Sequence, residues 1–327
     1  MTLLSGTAPA AVQAAAERLA AGELVAFATE TVYGLGARAD DDSAVARIYA
    51  AKGRPPGHPL IVHVADAAAA GHFASSSSAA AQRLMAAFWP GPLTLILPRR
   101  AGMAYAAAGG QDSVGLRLPA HPVALALLRA AAQLGVPGVA APSANRYGRV
   151  SPTSAAHVQH EFGDALAVLD GGDCEIGVES AIVDCTREWP ALLRPGQLGR
   201  ARIEAVLGQA LAEPDAHSPR ASGTLRSHYA PLAPVRLWSS EALARRLARP
   251  EPGAVGGVVG VYSRLGCGAG SAWVHRPMPA DAAAVAHELF AVLRGFDAAS
   301  VAAIWVERPP PGPEWDAVRD RLERAAA

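Results

Sequence analysis

The sequence predicts an α/β protein in two domains, and three observations carry that expectation. Apolar runs of strand length alternate along the chain with helix-favouring stretches, the pattern of sheets layered with helices. A chain of 327 residues exceeds what one hydrophobic core usually serves. From about Ala212 to Pro234 the periodicity fails while proline, serine and glycine accumulate, which marks a linker. Residues 1–211 are therefore expected to form the first domain, 212–234 a linker and 235–327 a second, smaller domain.

The elements follow from local pattern. Pro9 to Ala21 places Val12, Ala16 and Leu19 at helical spacing, with Gly22 as a stop. Leu24 to Ala28 reads as the first strand. Asp42 or Ser43 is expected to cap a helix over Ala44 to Ala51, whose Val45, Ile48 and Tyr49 face inward. Leu60 to Val64 is a continuous apolar run, as in a buried strand. A helix ending at Phe88 gives way to the turn Trp89-Pro90-Gly91-Pro92 and a strand over Leu93 to Leu97. Strand Val114 to Leu118, helix His121 to Leu134 and strand Gly138 to Ala141 come next. Thr153 or Ser154 caps a helix to Phe162, and Leu166 to Asp170, Ala181 to Cys185 and Ala191 to Arg194 are short strands. Beyond the linker, strands Val235 to Trp238, Gly257 to Tyr262 and Val301 to Val306 alternate with helices Glu241 to Ala248, Asp281 to Ala298 and Trp315 to Ala326. That alternation predicts a small, Rossmann-like doubly wound sheet.

Composition narrows the function classes. Formal charge is zero, so no global basic field argues for direct nucleic-acid binding, and any anion site must be local. No apolar stretch approaches the roughly 20 residues that span a bilayer, and no leader pattern opens the chain, so a cytoplasmic location is expected. Cys174, Cys185 and Cys267 are too scattered for a zinc site or a disulfide framework. No Walker A sequence occurs, and the glycines from Gly253 to Gly270 do not form a dinucleotide fingerprint.

Chemistry concentrates between Thr29 and His63. Thr29-Glu30-Thr31 follows an apolar run and so lies at a strand's carboxyl end, where open α/β sheets commonly place ligands. Gly34 and Gly36 allow a positive φ or a close backbone approach. Lys52 and Arg54 then supply a point charge and a fork suited to phosphate or carboxylate. Lys52 is the only lysine, set against 28 arginines. Chance survival on a solvated surface is the ordinary reading of a lone lysine, but here Arg54, His58 and His63 gather further donors beside it. Arg117 sits among apolar neighbours and must meet a carboxylate or phosphate, either a ligand's or an internal one.

These motifs resemble the signature of the YrdC-type threonylcarbamoyl-AMP synthases. The likeness continues through Phe88 to Leu97, Val114 to Pro122, Ala141 to Asn145 with Ser151 to Thr153, Gly177 to Asp184 and Leu192 to Gly196, in the family's order. With Ser-His-Tyr-Ala-Pro at 227 to 231 it is similar to the longer, two-domain form. The resemblance implies a twisted mixed sheet whose helices form a concave site, followed by the small second domain. It implies condensation of L-threonine, bicarbonate and ATP to threonylcarbamoyl-adenylate and pyrophosphate, with the product passed to a tRNA threonylcarbamoyl-transferase. By match to the motifs, Lys52 and Arg54 are catalytic and hold ATP. Thr31, His63 and Arg117 hold threonine. His58, Ser113, Ser143, Asn145, Ser151 and Arg194 complete the ATP site, and Mg²⁺ arrives with the triphosphate. The linker residues Arg226, His228 and Tyr229 are expected to act as a lid. Ala28, His58 and Ser222 depart from the proline, asparagine and proline usual in the family. Two other readings stay open: a carbamoyl-transfer enzyme of another pathway using the same fold, and a non-catalytic RNA-binding module.

Overall fold

A computed structural model describes residues 2–225, 227–248, 257–266 and 273–327. The chain divides into two compact units, Met1–Tyr147 with Ser151–Thr224, and Gly148–Val150 with Leu225–Ala327.

The first unit contains β1 (Thr2–Ser5), α1 (Pro9–Ala20), β2 (Val25–Phe27), β3 (Gly34–Arg38), α2 (Asp42–Lys52), β4 (Ile61–His63), α3 (Ala79–Phe88) and β5 (Leu93–Pro98). It continues with β6 (Ser113–Arg117), α4 (Pro122–Gln133), β7 (Val139–Ala140), α5 (Ala155–Phe162), β8 (Ala167–Asp170), β9 (Ala181–Asp184), β10 (Ala191–Arg194) and α6 (Arg200–Leu207). Its ten strands form one mixed sheet in the order β1-β8-β2-β3-β7-β4-β6-β5-β9-β10. β4 runs parallel to β6 and antiparallel to β7, which sets His63 directly beside Arg117 on one flank and Val139 on the other. One core layer joins α1 and α4 through Val12, Leu19, Leu127 and Leu128 to Val25, Phe27 and Leu169. The larger cluster, with Ile48, Leu84 and Ile203, packs α2, α3 and α6 against Leu35, Val62, Leu95 and Leu116.

Several local details depart from the sequence expectations. The helix α2 is capped by Asp41, whose Oδ1 accepts from the Ser43 and Ala44 N–H groups, not by Asp42 or Ser43. It runs through Lys52 and ends on Gly53 with φ +63°, so Lys52 belongs to the helix's last turn, one residue beyond the Ala51 at which the sequence pattern ended the helix. Gly34 and Gly36, which the sequence offered for a positive φ or a close backbone approach, stand in strand β3. Neither has a positive φ. Gly36 is required by packing, since a Cβ there would fall 2.9 Å from both the Phe27 ring and Val139. Strand β1 and helix α6 were also missed, β1 because an exposed four-residue strand carries little burial signal.

The second unit contains β11 (Val235–Trp238), α7 (Ser240–Ala248), β12 (Val259–Ser263), β13 (Trp273–Pro277), α8 (Ala282–Ala298), β14 (Ala303–Glu307) and α9 (Asp316–Ala325). The four strands among its described residues are all parallel, in the order β11-β14-β12-β13. Leu289, Phe290, Leu293 and Phe296 on α8 are buried, as expected of an inward helix face. No described helix is long and apolar enough to cross a membrane.

Candidate active site

The carboxyl end of α2 delivers Lys52, which is 3% exposed. Its Nζ donates to two backbone carbonyls, Ser143 at 2.6 Å and Asn145 at 2.5 Å. The loop after β7 therefore meets α2 through its main chain. The sequence reading had offered the Ser143 and Asn145 side chains to a ligand, whereas their carbonyls fix the lysine. Asn145 Nδ2 donates to the Arg146 carbonyl at 2.7 Å. Burial first, then the Arg54 guanidinium, hold the Lys52 ammonium well below lysine's usual range, with Glu161 and Glu179 acting the other way.

Arg54 is buried, donates to the Pro59 carbonyl at 2.9 Å and lies 5.8 Å from the centroid of the Tyr147 ring. It lines an open groove of about 860 Å³ shared with Tyr49, Pro56, Gly57, Tyr105 and Gly109. His58 stands beside the same tyrosine, its Nδ1 3.5 Å from the Tyr147 hydroxyl and the rings 5.6 Å apart. Burial, Arg54 and Arg220 lower its pKa, so it is not an added positive charge at neutral pH. Ser113 opens β6 beside a small cleft whose walls include Thr94, Gln111, Arg220 and Ser222. Ser151 donates to Glu179 Oε1 at 2.5 Å. Arg194 is fixed from several sides: Nε donates to the Ser180 carbonyl, Nη2 to the Ser180 hydroxyl and Nη1 to the Ser222 carbonyl. The Ser180 hydroxyl is in turn 2.8 Å from that of Thr94.

A second group forms where the loop between β2 and β3 meets the end of β6. Arg117 is 4% exposed and donates from Nη1 to the Thr31 hydroxyl at 2.8 Å and from Nε to the Gly91 carbonyl at 3.3 Å. Its Nη2 lies 2.7 Å from Glu30 Oε1, so the internal ion pair allowed by the sequence is present. Thr31 is also held by the Thr29 hydroxyl at 2.9 Å. His63 is buried with Nδ1 unpartnered, edge-on to Phe27 at 6.2 Å. Burial and then the Arg117 charge push its pKa down to about 3, leaving a neutral imidazole.

The structure sets Thr31, His63 and Arg117 beside one another, whereas sequence reasoning named Glu30 only for its place at a strand end, with no role, and assigned none to Glu179 or Tyr147. Glu30 was legible in principle. A buried guanidinium needs a carboxylate, and the glutamate of the Thr-Glu-Thr run was at hand. The others are brought in by tertiary contacts 28 residues or more away, such as Ser151 to Glu179. Cys174 and Cys185 are buried thiols whose pKa burial raises, that of Cys185 to about 12, which suits packing and not nucleophilic attack. Cys267 lies outside the described residues. Of the three residues assigned to the lid, Arg226 also lies outside them. His228 and Tyr229 pack in the second unit: the His228 N–H donates to the Arg324 carbonyl at 3.1 Å, and the Tyr229 ring lies 5.4 Å from that of Phe290 with Arg321 above it at 5.4 Å.

Residues 17–196 match the Sua5/YciO/YrdC family model, described as telomere recombination, and residues 198–327 match the threonylcarbamoyl-AMP synthase C-terminal domain. A threonylcarbamoyl-AMP synthase of Bacillus subtilis is 40% identical over 342 aligned positions, covering 99% of this chain and 94% of its own. One of Schizosaccharomyces pombe is 32% identical over 93% of this chain and 85% of its own. The crystal structure of Pyrococcus abyssi Sua5 complexed with L-threonine matches with a TM-score of 0.88 at 35% identity, over 99% of this chain and 97% of that one. A variant of the same archaeal protein, with a histidine and the tyrosine after it replaced by alanine, matches at 0.87 and 34% identity over 100% of this chain and 96% of that one. The chain belongs to the Sua5/YciO/YrdC family, in the form that carries the threonylcarbamoyl-AMP synthase C-terminal domain.

Proposed function

We propose that this protein is a threonylcarbamoyl-AMP synthase. It condenses L-threonine, bicarbonate and ATP to threonylcarbamoyl-adenylate and pyrophosphate, for the threonylcarbamoyladenosine modification of tRNA. The observation that carries this reading is the match over 99% of the chain to a relative of that name. The archaeal relative solved with L-threonine extends it to the amino acid.

The chemistry asks the protein to hold two anions together and to neutralise a leaving group. Threonine's amine, once deprotonated, attacks the carbon of bicarbonate and water is lost to give a carbamate, whose oxygen then attacks the α-phosphorus in line as the bond to pyrophosphate breaks. In this reading Lys52 and Arg54 bear on the phosphates, with His58, Ser113, Ser143, Asn145, Ser151 and Arg194 around the nucleotide. Thr31, His63 and Arg117 take threonine, Arg117 on its carboxylate. The carbonyl seat of Lys52 holds its nitrogen in place before the nucleotide arrives, so that the ammonium form acts from a preorganised position. Mg²⁺ would accompany the triphosphate and supply further neutralisation of the leaving group. Among the described residues, no three His, Cys, Asp or Glu side chains gather into a metal site.

The assignment of 1–211 as catalytic domain, 212–234 as linker and 235–327 as a second domain is part of the same proposal, as are a cytoplasmic location and the hand-off of the adenylate to a tRNA threonylcarbamoyl-transferase. The lid role of Arg226, His228 and Tyr229 is tested by limited proteolysis: ATP with threonine should slow cleavage between 222 and 231, and unchanged cleavage would make these residues a domain joint. The synthase reading itself is tested by pyrophosphate release from ATP. Release should require both threonine and bicarbonate, and threonine-independent release, or none, would discard it.

A further inference from the structure

The Glu30–Arg117 pair has features that simple neutralisation of a buried charge does not use. A guanidinium offers five N–H donors. Nε donates to the Gly91 carbonyl and one N–H of Nη1 to Thr31, while Nη2 lies 2.7 Å from Glu30 Oε1 without a hydrogen bond of good geometry, so both terminal nitrogens keep N–H groups for a ligand carboxylate. Glu30 is 4% exposed, and neither of its oxygens accepts a hydrogen bond of good geometry despite the close approach of Arg117. An ionised carboxylate has about four acceptor positions, and burying them without donors is costly. Glu30 is therefore short of donors at a point where Arg117 still has donors to give.

The groups facing Glu30 do not meet that need. Thr31 already bonds Thr29 and Arg117. His121, just before α4, feels the Glu30 charge, but burial pushes its pKa down, its Nδ1 accepts from the Val123 N–H, and the ring's hydrogen bond goes to the Gly171 backbone. Cys174 is a neutral thiol, its pKa raised by burial and by Glu30 itself. His63, paired with Arg117 across β4 and β6, is neutral. The pocket thus holds one full positive and one full negative charge side by side.

We propose that Glu30 is the counter-ion of the substrate's α-ammonium, so that the Arg117–Glu30 pair recognises an amino-acid zwitterion with its charges complemented in place. Arg117 takes the carboxylate and Glu30 the ammonium. This rests on the reading of the site as the threonine site and adds a specificity determinant to it. The consequence is selection for a free α-amine, the group that must react, against hydroxy acids of the same shape.

The test is calorimetric titration of L-threonine, and of the analogue in which a hydroxyl replaces the α-ammonium, into wild type and Glu30→Gln. Wild type should prefer L-threonine by roughly 10- to 100-fold, the range of a charge-assisted hydrogen bond. Glu30→Gln should lose most of that preference by weakening L-threonine while changing the analogue less than about threefold. Equal losses for both ligands, or a preference that survives the substitution, would overturn the assignment. Should Glu30→Gln fail to fold, Glu30→Asp should keep the preference, and equal affinity of wild type for the two ligands overturns the assignment without any variant. A wild type that binds no threonine removes the reading of the site itself, a failure distinct from threonine binding without preference.

Discussion

Two buried cations in the first unit are held in opposite ways. Lys52 rests on backbone carbonyls, with no ion pair among the described residues, and the charge that bears on it most is another cation, Arg54. Arg117 lies against a carboxylate and two neutral oxygens. The first arrangement leaves the ammonium without a paired carboxylate, with Glu161 and Glu179 only partly offsetting burial and Arg54, and it suits the arrival of a polyanion. The second is neutral as a pair and suits a ligand that itself carries both signs. Where the counter-charge sits thus separates the expected phosphate end of the site from the amino-acid end.

The largest expected effect breaks the first arrangement. Lys52→Ala should lower synthesis by about 10²–10³-fold in kcat, as loss of a preorganised charge-stabilising group does. Lys52→Arg should be nearly as damaging, because a planar fork cannot sit on the two carbonyls that an ammonium meets at 2.5 and 2.6 Å. Full activity in Lys52→Arg would show that only the charge matters there.

The next test addresses the second arrangement. Arg117→Ala should raise the KM for threonine by roughly 10- to 100-fold, with the KM for ATP little changed. It should also lower stability, by about 3–5 kcal/mol, because Glu30 is left as a buried unpaired charge. Equal effects on both substrates would move Arg117 to the nucleotide or to structure, and the contrast between the two cations would collapse.

A pH experiment sharpens the contrast. Lys52 starts with a lowered pKa, and a triphosphate favours its ammonium form, so nucleotide binding takes up a proton wherever unliganded Lys52 is partly neutral. Nucleotide affinity should therefore fall as pH rises through that lowered range, below the usual 10.5, and Lys52→Arg should remove the dependence. A flat wild-type profile between about pH 7 and 10 would mean that the carbonyl seat keeps the ammonium charged throughout.

The smallest effect is on stability near His63. Its folded pKa of about 3 lies below the ordinary 6.5, so the unfolded chain binds the proton more readily. Stability should be intact above pH 6.5 and decline as pH falls toward 3, with a slope contribution of up to about 1.4 kcal/mol per pH unit. Denaturant melts of wild type and His63→Asn across that window should differ in slope, and parallel curves would place His63 in a more open setting.

What the sequence determined by itself was the class of fold and most elements. Apolar runs such as 93–97 and 191–194 carry the length and composition of short buried strands, and the collinear motifs named Lys52, Thr31 and Arg117 as expected site positions. Local chemistry also marked a helix end at Gly22, where a residue without a Cβ takes the left-handed turn cheaply. Tertiary structure alone decided the partners. That Lys52 would be seated on the carbonyls of residues 143 and 145, Ser151 on Glu179 and Arg194 on Ser180 depends on which strands become neighbours in the sheet. A backbone carbonyl is the same group in every residue, so no side-chain pattern announces that it will hold a buried cation.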